Sequence, residues 1–547
     1  MAANLEVRKG KARNSWRRFA AIGGRVALTA AALILQIVVF ALLLLRTSEL
    51  SPWIGTISGL ISIGVVAFIL NSRMQVEYKL AWTIPIMLMP LFGGTFYLLF
   101  GARTGSRRQM LRYSAVQDLA AIDQKSAAGA LTVLPGELNE QLPELEPVVT
   151  GGHSVVSIDP DAARQIAYLE SSGPFRAYRN TETTYYPLGE EAFAAMLEAL
   201  ENAKRWIAME YFIVSDGKMW RALFEVLSRK AGEGVQIWVM YDDLGSLWHL
   251  PDNFAKDLKR AGVRVQSFNK LGPGLTLRYN NRDHRKFTVV DGLVAFTGGI
   301  NIADEYINAI QRFGHWKDTT IRLRGPGAWG MASLFFTIWD LVSGDRTDLA
   351  ALHPSEEEID AQPGGPGVVV NYDDTPFDDL SLGWAAYRGM MSRAKFRVDL
   401  TTPYLVPTSE MTAVFVALAQ SGVQVRIITP GIPDKSYVYS VTRSNYRQLV
   451  EAGVAVYEYT PGFIHAKQMI VDDDTAIIGT INFDFRSFYL HQENAVWMYQ
   501  TSAIADMSAD FEETLAKCRR IDLAMVRSTP WWRRAGWLVL RTFSPLM

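Results

Sequence analysis

The chain has 547 residues, a length that accommodates about three domains and excludes a single small module. Fifty-five Lys and Arg stand against 56 Asp and Glu, so the global basic excess of a general nucleic-acid binder is absent and any basic patch is local. With 49% hydrophobic and 20% charged residues the chain is not disordered as a whole, and the single cysteine, Cys518, excludes an intramolecular disulfide framework and a multi-cysteine zinc site.

The N-terminal region carries three apolar runs. Val26 to Leu45 has only Thr29 and Gln36 as polar members over 20 residues, about the length that spans a hydrocarbon core of ~30 Å. Trp53 to Leu70 is interrupted only by Gly, Ser and Thr, and Leu80 to Phe100 is uncharged but broken by Pro85, Pro90, Gly93 and Gly94. Residues 1–100 are therefore read as a membrane region. A cleaved signal peptide would account for the first run alone. Basic residues precede the first run (Arg8 to Arg25) and follow the third (Arg103 to Arg112), so both ends favour the cytoplasmic side. The third run is then either a bent re-entrant hairpin or a kinked crossing.

Residues 101–175 turn polar and read as a juxtamembrane linker; 351–366, with Ser355 to Asp360 leading into Gly364 and Gly365, read as a second, acidic one. Between and after them lie two soluble units, 176–350 and 367–525. These units repeat one another. GVQIWVMYD at Gly234 to Asp242 resembles GVQVRIITP at Gly422 to Pro430, and AGVRVQSFN at Ala261 to Asn269 resembles AGVAVYEYT at Ala452 to Thr460; each is a short strand after Gly. Phe193, Met196, Leu197 and Leu200 recur at helical spacing before the first strand. Helices thus alternate with strands, which predicts an α/β unit with a buried central sheet, used twice.

The chemistry lies in the sharpest part of the repeat. HRKFTVVD at His284 to Asp291 is matched by HAKQMIVD at His465 to Asp472, and GGIN at Gly298 to Asn301 by GTIN at Gly479 to Asn482, all at an offset of 181 residues. In a strand, residues i and i+2 face the same way, so His284 and Lys286 emerge side by side, as do His465 and Lys467. Two such units face to face present two imidazoles and two ammonium groups to one space. One imidazole attacks phosphorus, a second protonates the leaving alkoxide, and Lys and Asn donors neutralise the phosphoryl oxygens, with no metal or cofactor required.

The paired HxKxxxxD motifs with their GxxN sequels resemble the phospholipase D superfamily, and most of the chain is similar to bacterial cardiolipin synthases: YKLAWTIPIMLMPLFGGTFYLLFG at Tyr78 to Gly101, MEYFIVSDG at Met209 to Gly217, YDDLGS at Tyr241 to Ser246, NNRDHRKFTVVDG, GGINIADEY, TTPYLVP at Thr401 to Pro407 and GTINFDFRS at Gly479 to Ser487. The resemblance implies an α/β fold of two pseudo-symmetric phospholipase D-like domains, each a central mixed sheet flanked by helices, behind an N-terminal α-helical membrane anchor in the bacterial cell membrane. It also implies a transphosphatidylation: a phosphatidyl group passes from phosphatidylglycerol to a histidine, glycerol leaves, and a second phosphatidylglycerol attacks to give cardiolipin. By analogy His284 is the nucleophile and His465 the general acid and then base, although the pseudo-symmetry leaves the reverse open. Lys286, Lys467, Asn301 and Asn482 hold the phosphoryl oxygens.

Asp291 and Asp472, seven residues beyond their histidines, fix the strand end or pair with Lys rather than touch phosphate. A carboxylate must orient each imidazole; Glu493 in HQEN is the candidate in the second unit and Asp318 in HWKD in the first. Glu210, in MEYF, lines the pocket or sits on a solvated face. His315 and His491 lie near these carboxylates and are left outside the catalytic set. Residues 526–547, with Trp531, Trp532, Arg533, Arg534, Trp537, Leu538, Leu540 and Arg541, combine aromatic anchors with cations, as a helix at the surface of an anionic bilayer would; packing on the catalytic core is the alternative. The expected partners are phosphatidylglycerol and anionic membrane lipids, with no nucleic acid, and self-association is compatible with the sequence. Two other readings compete: a membrane-tethered phosphodiesterase acting on nucleic acid, marked by salt-sensitive DNA cleavage, and a scaffold, marked by function that survives loss of both histidines.

Overall fold

The computed structural model describes residues 52–72, 75–88, 97, 110–118, 130–131, 159–270, 281–378 and 380–546. The chain divides into two compact units, one of residues 1–102 with 271–277, the other of 103–270 with 278–547. In the first, helix α1 (Pro52–Asn71) is followed by α2 (Val76–Leu88). Their apolar residues include many left on the surface, among them Leu60, Ile61, Ile63, Phe68, Leu70 and Leu88, while Trp82 packs edge-on against Tyr78 and Tyr97. Among the described residues no helix is long and apolar enough to cross a membrane. The first apolar run, 26–45, lies outside the described residues.

The second unit holds two large sheets and a short two-stranded one. The stretch read as a linker contributes a helical segment over 110–118, strand β1 (Ala130–Leu131) and helix α3 (Pro160–Ser172), which starts at the Asp159 cap with Pro160 in its first turn. Then follow β2 (Ala177–Tyr178), β3 (Glu182–Tyr186), α4 (Gly189–Glu201), β4 (Trp206–Tyr211), α5 (Lys218–Gly232), β5 (Gln236–Asp242), α6 (Phe254–Arg260), β6 (Arg264–Phe268), β7 (Lys286–Val290), β8 (Val294–Gly298), β9 (His315–Lys317), β10 (Thr320–Arg324) and α7 (Gly327–Ser343). The second half continues with β11 (Val368–Asp374), α8 (Leu382–Ser392), β12 (Arg397–Thr401), α9 (Ser409–Gln420), β13 (Gln424–Pro430), α10 (Ser436–Glu451), β14 (Ala455–Tyr459), β15 (Gly462–Ile464), β16 (Gln468–Val471), β17 (Thr475–Gly479), α11 (Phe485–Tyr489), β18 (Glu493–Tyr499), α12 (Ala503–Leu515), β19 (Cys518–Ile521) and, at the C-terminus, α13 (Trp531–Thr542).

The repeated words fold as repeated structure. One sheet runs β3-β10-β8-β7-β4-β5-β6, and the other contains the same succession, β11-β18-β17-β16-β12-β13-β14, extended by β2 and β1 at one end and β19 at the other. In each, the first and second strands of the βαβ units are parallel (β4 with β5 and β6; β12 with β13 and β14), and the rest of the repeated succession pairs antiparallel. The sheets are mixed, as expected. Strands β7 and β16, which begin at or just after the lysine of each HxK motif, are buried along their whole length, which is why their residues after Lys are mostly apolar.

Helix α7 shows the packing logic in its composition. GAWGMASLFFTIW is apolar all round, and every residue from Gly327 to Trp339 is buried, lying on β4, β7, β8 and β10 of one sheet and reaching β11 of the other. A third, two-stranded sheet pairs β15 in parallel with β9, joining Phe463 to Trp316 and Ile464 to Lys317. It ties the halves together beside the second motif.

Candidate active site

His284 lies just before β7 and His465 just before β16, not within the strands. Each histidine leaves its own sheet to pair with the other half. The His284 amide donates to the Gln492 carbonyl at 2.9 Å, and the His465 amide donates to the Lys317 carbonyl at 2.7 Å. Gln492 immediately precedes Glu493, and Lys317 immediately precedes Asp318. The backbone pairing therefore delivers each imidazole to a carboxylate of the opposite half. His284 Nδ1 lies 2.9 Å from Glu493 Oε1, and His465 Nδ1 lies 2.6 Å from Asp318 Oδ2.

This corrects the expected pairing. Glu493 belongs to His284 and Asp318 to His465, the reverse of the same-unit assignment. The cause is the β9–β15 pair and its counterpart at Asp283 and Gln492, whose cross-half bridges no sequence period reveals. Both carboxylates do orient an imidazole through Nδ1, which leaves Nε2 of each ring as the outward nitrogen.

The glycine words of GGIN and GTIN serve this arrangement. A Cβ on Gly299 would lie 2.0 Å from Asp318 Oδ1, so the backbone must be bare for the carboxylate to sit there. At the matching position of the other half Thr480 is tolerated, and its hydroxyl donates to Glu493 Oε2 at 2.6 Å. The half with Gly thus accommodates Asp, and the half with Thr gives an extra donor to Glu.

Lys286 and Lys467 are 1% exposed and each turns back to donate to the carbonyl of its own histidine. Burial lowers the proton affinity of both: Lys286 is pulled down to about 8 and Lys467 to about 7, with Glu493 and Asp318 opposing the shift. The imidazoles are lowered too. Burial comes first for both, then Lys286 for His284 and Lys467 for His465, and His465 falls to about 4. Each histidine also feels the lysine of the opposite half, as expected where two motifs converge on one space.

The carboxylates differ. Burial raises the Asp318 carboxyl, but His465, through charge and hydrogen bond, and Lys467 outweigh it and hold it below its ordinary value. Glu493 is pushed well up by burial, against the pull of Lys286 and Thr480. One dyad therefore has an acceptor that stays ionised, and the other an acceptor ready to take a proton.

Asp291 and Asp472 occupy equivalent structural positions. Each adopts a positive φ, 54° and 51°, at the turn ending its strand. Asp291 accepts from the amides of Lys204, Arg205 and Trp206, and Asp472 from those of Lys395, Phe396 and Arg397, in each case the residues entering the neighbouring strand. Both fix a strand end, as the spacing predicts. Asn301 accepts from the Ile213 amide at 2.9 Å and donates to the Tyr306 hydroxyl at 2.7 Å, whereas buried Asn482 has no hydrogen-bond partner on Oδ1. Glu210 is buried in β4 and accepts from Arg285 Nη2 at 2.5 Å, within a cluster that brings Asp283 and Asp373 to the same guanidinium. It is neither solvated nor seated on an imidazole. His315 is half-buried and bonded to the Tyr459 hydroxyl.

Other residues of the site were not singled out although they lie inside the quoted words: Trp316 and Tyr306, packed around the His465 ring at 5.5 Å between centroids, and Phe212 at 4.9 Å from the His284 ring. Trp316 stands two residues before Asp318 in the word HWKD. Among the described residues, the group with metal-ligand chemistry is His284, His491 and Glu493, whose donor atoms lie within 4.8 Å of one another.

Comparison with known proteins fits this geometry. The family model described as cardiolipin synthase, PLD-like domain, matches residues 196–311 and 387–515, and the one described as phospholipase D-nuclease N-terminal matches 60–101. A cardiolipin synthase of Alkalihalophilus pseudofirmus is 32% identical over 93% of this chain and 97% of its own length. The chain belongs to the cardiolipin synthase family of phospholipase D-like proteins. A second family member named cardiolipin synthase, from Halalkalibacterium halodurans, is 32% identical over 94% of this chain and 99% of its own. An uncharacterized protein of Streptococcus mutans is 36% identical over 89% of this chain and all of its own length. The matched segments bracket both halves of the site, with His284, Asn301, His465 and Asn482 inside them.

Proposed function

We propose that the protein is a cardiolipin synthase, a phosphatidyltransferase that joins two phosphatidylglycerol molecules and releases glycerol. The observation that carries the reading is the crossed pair of His–carboxylate dyads with a buried lysine beside each, in a chain of the cardiolipin synthase family. His284 Nε2 attacks the phosphorus of the first phosphatidylglycerol, forming a P–N bond as the bond to the glycerol oxygen breaks. His465 gives that oxygen its proton. A hydroxyl of the second phosphatidylglycerol then loses its proton to His465 and attacks phosphorus, the P–N bond breaks, and cardiolipin leaves.

The inequality of the dyads favours this assignment over its reverse. Phosphorylation at Nε2 makes an imidazole cationic, and a carboxylate of raised proton affinity relieves that charge by drawing the Nδ1 proton; Glu493 beside His284 has that character. A general acid needs its imidazolium supported, and ionised Asp318 opposes the fall that burial and Lys467 impose on His465. Lys286, Lys467, Asn301 and Asn482 are the donors for the phosphoryl oxygens. Asp291, Asp472 and Glu210 support the frame.

The division into phospholipase D-like domains at 176–350 and 367–525 rests on the repeated strand succession. Multi-pass attachment to the cell membrane through residues 1–100 rests on the apolar runs of the sequence, and an interfacial role for 526–547 on the exposed Trp531, Trp532, Leu538 and Val539 of α13 beside Arg533, Arg534 and Arg541. The test is reconstitution of the purified full chain in phosphatidylglycerol liposomes, with cardiolipin, glycerol and phosphatidic acid quantified. Cardiolipin and glycerol rising together in wild type, and both vanishing in His284→Ala and in His465→Ala, is the expected result. Phosphatidic acid without cardiolipin would make the protein a hydrolase instead.

A further inference from the structure

His491 stands two residues before Glu493, as Trp316 stands two residues before Asp318. The two rings hold corresponding places: the centroid of Trp316 is 5.5 Å from that of His465, and the centroid of His491 is 5.5 Å from that of His284. The pseudo-symmetry of the site is broken here by chemistry. Trp316 belongs to an apolar wall with Tyr306 and Phe463, at 4.7 and 4.8 Å between centroids. His491 is a polar ring with only 10% of its side chain exposed, and neither ring nitrogen has a hydrogen-bond partner. Its Nδ1 is 3.7 Å from Glu493 Oε1, too far for a hydrogen bond, and that carboxylate already serves His284 and Thr480. Two buried nitrogens without partners are costly unless something arrives to satisfy them.

The surrounding charge says what that is. Arg486, Arg282 and Lys286 all bear on His491 and, after burial, keep its ring neutral. Although His284, His491 and Glu493 form a donor set of the kind that holds zinc, three cationic side chains around it oppose a divalent cation and favour an anion. Resting on the transfer reading above, we propose that His491 is a phosphate-binding residue: its ring N–H donates to a non-bridging oxygen of the phosphodiester whose phosphorus His284 attacks. Trp316 offers an indole N–H that also lacks a partner, so the two sides differ in ring chemistry, the imidazole carrying two nitrogens and the indole one.

The test uses the full chain, in vesicles, with its histidine rings labelled with nitrogen-15. The chain has only seven histidines, so His491→Asn assigns the His491 signal by its disappearance. Inorganic phosphate is expected to shift that signal in wild type. A shift with phosphatidylglycerol vesicles but not with inorganic phosphate would support the proposal while restricting the ligand to the lipid phosphodiester. His491→Phe, a ring without nitrogen, is expected to lower kcat/KM for phosphatidylglycerol by about tenfold or more and to weaken inhibition by inorganic phosphate in parallel, while His491→Asn, which retains an N–H donor, stays within about threefold of wild type. A His491 signal unmoved by either phosphate source, or moved by Zn2+ alone, overturns the proposal, as does a folded His491→Phe chain with unchanged kcat/KM and phosphate inhibition. If His491→Phe does not fold, the wild-type spectra decide. If wild type turns over no phosphatidylglycerol, the transfer reading fails by itself, and the spectra with phosphate still report on the binding site.

Discussion

Lys286 and Lys467 have given up hydration in a buried space beside the two imidazoles. Their proton affinities of about 8 and about 7, against the ordinary 10.5, have a direct kinetic consequence. Both ammonium groups are charged below about pH 7; as pH rises they lose their protons, Lys467 first, and with them the cationic field on the phosphoryl oxygens. On the acid side the limit is protonation of the nucleophile His284, which burial, and then Lys286, hold well below the ordinary range of an imidazole. The pH profile of kcat/KM for phosphatidylglycerol should therefore fall on the alkaline side between about 7 and 8, well before an exposed lysine would lose its proton. Lys467→Arg, which stays charged, should move that limb up to the value set by Lys286, and an unmoved limb would mean that another group controls it. At this scale the site was largely legible: the HxK words, the matched Asn residues and the need for a carboxylate behind each imidazole all follow from residue type and spacing. The identity of the partner was not, because a contact between residues 209 apart in one dyad and 147 apart in the other leaves no mark on either local pattern.

The elements explain why that contact is dependable. Strand β15 is three residues long and begins at Gly462, where a Cβ would stand 2.2 Å from the His315 carbonyl oxygen. The bare backbone lets β15 pair with β9, and the pairing continues directly into the bond from the His465 amide to Lys317. Gly462→Ala should force the pair apart and misplace His465 against Asp318, lowering kcat by about tenfold or more. Gly364→Ala, where a Cβ meets nothing within 4 Å, is the control and should leave kcat unchanged. Equal activity in the two variants would show that β9 and β15 do not position the histidine. Long, repeated elements such as β5, β6, β13 and β14 announce themselves by their apolar runs after Gly. A three-residue strand containing glycine does not, nor do the helices inside stretches of linker composition, such as α3, or the short helix Glu356–Asp360, which is held by a Ser355–Glu358 capping box.

For the molecule as a whole, access to lipid is as important as the chemistry. Helix α13 packs against α10 while Trp531, at 80% exposure, and Leu538, at 69%, face outward. Replacing Trp531, Trp532 and Leu538 by Ser in the full chain should raise the apparent KM for phosphatidylglycerol in vesicles several-fold with kcat nearly unchanged, because docking is lost and the catalytic groups are not. Unaltered KM would place α13 in a purely packing role. The crossed dyads carry a different consequence, one of mutual dependence. Neither half contains a complete imidazole–carboxylate pair, since His284 bonds to Glu493 and His465 to Asp318. The tandem chain keeps the two halves in one encounter. That dependence is visible to complementation: coexpressed fragments cut within 363–366 should regain turnover together and show none apart, whereas full-length His284→Ala mixed with full-length His465→Ala should stay silent, each chain having already closed around its own broken pair.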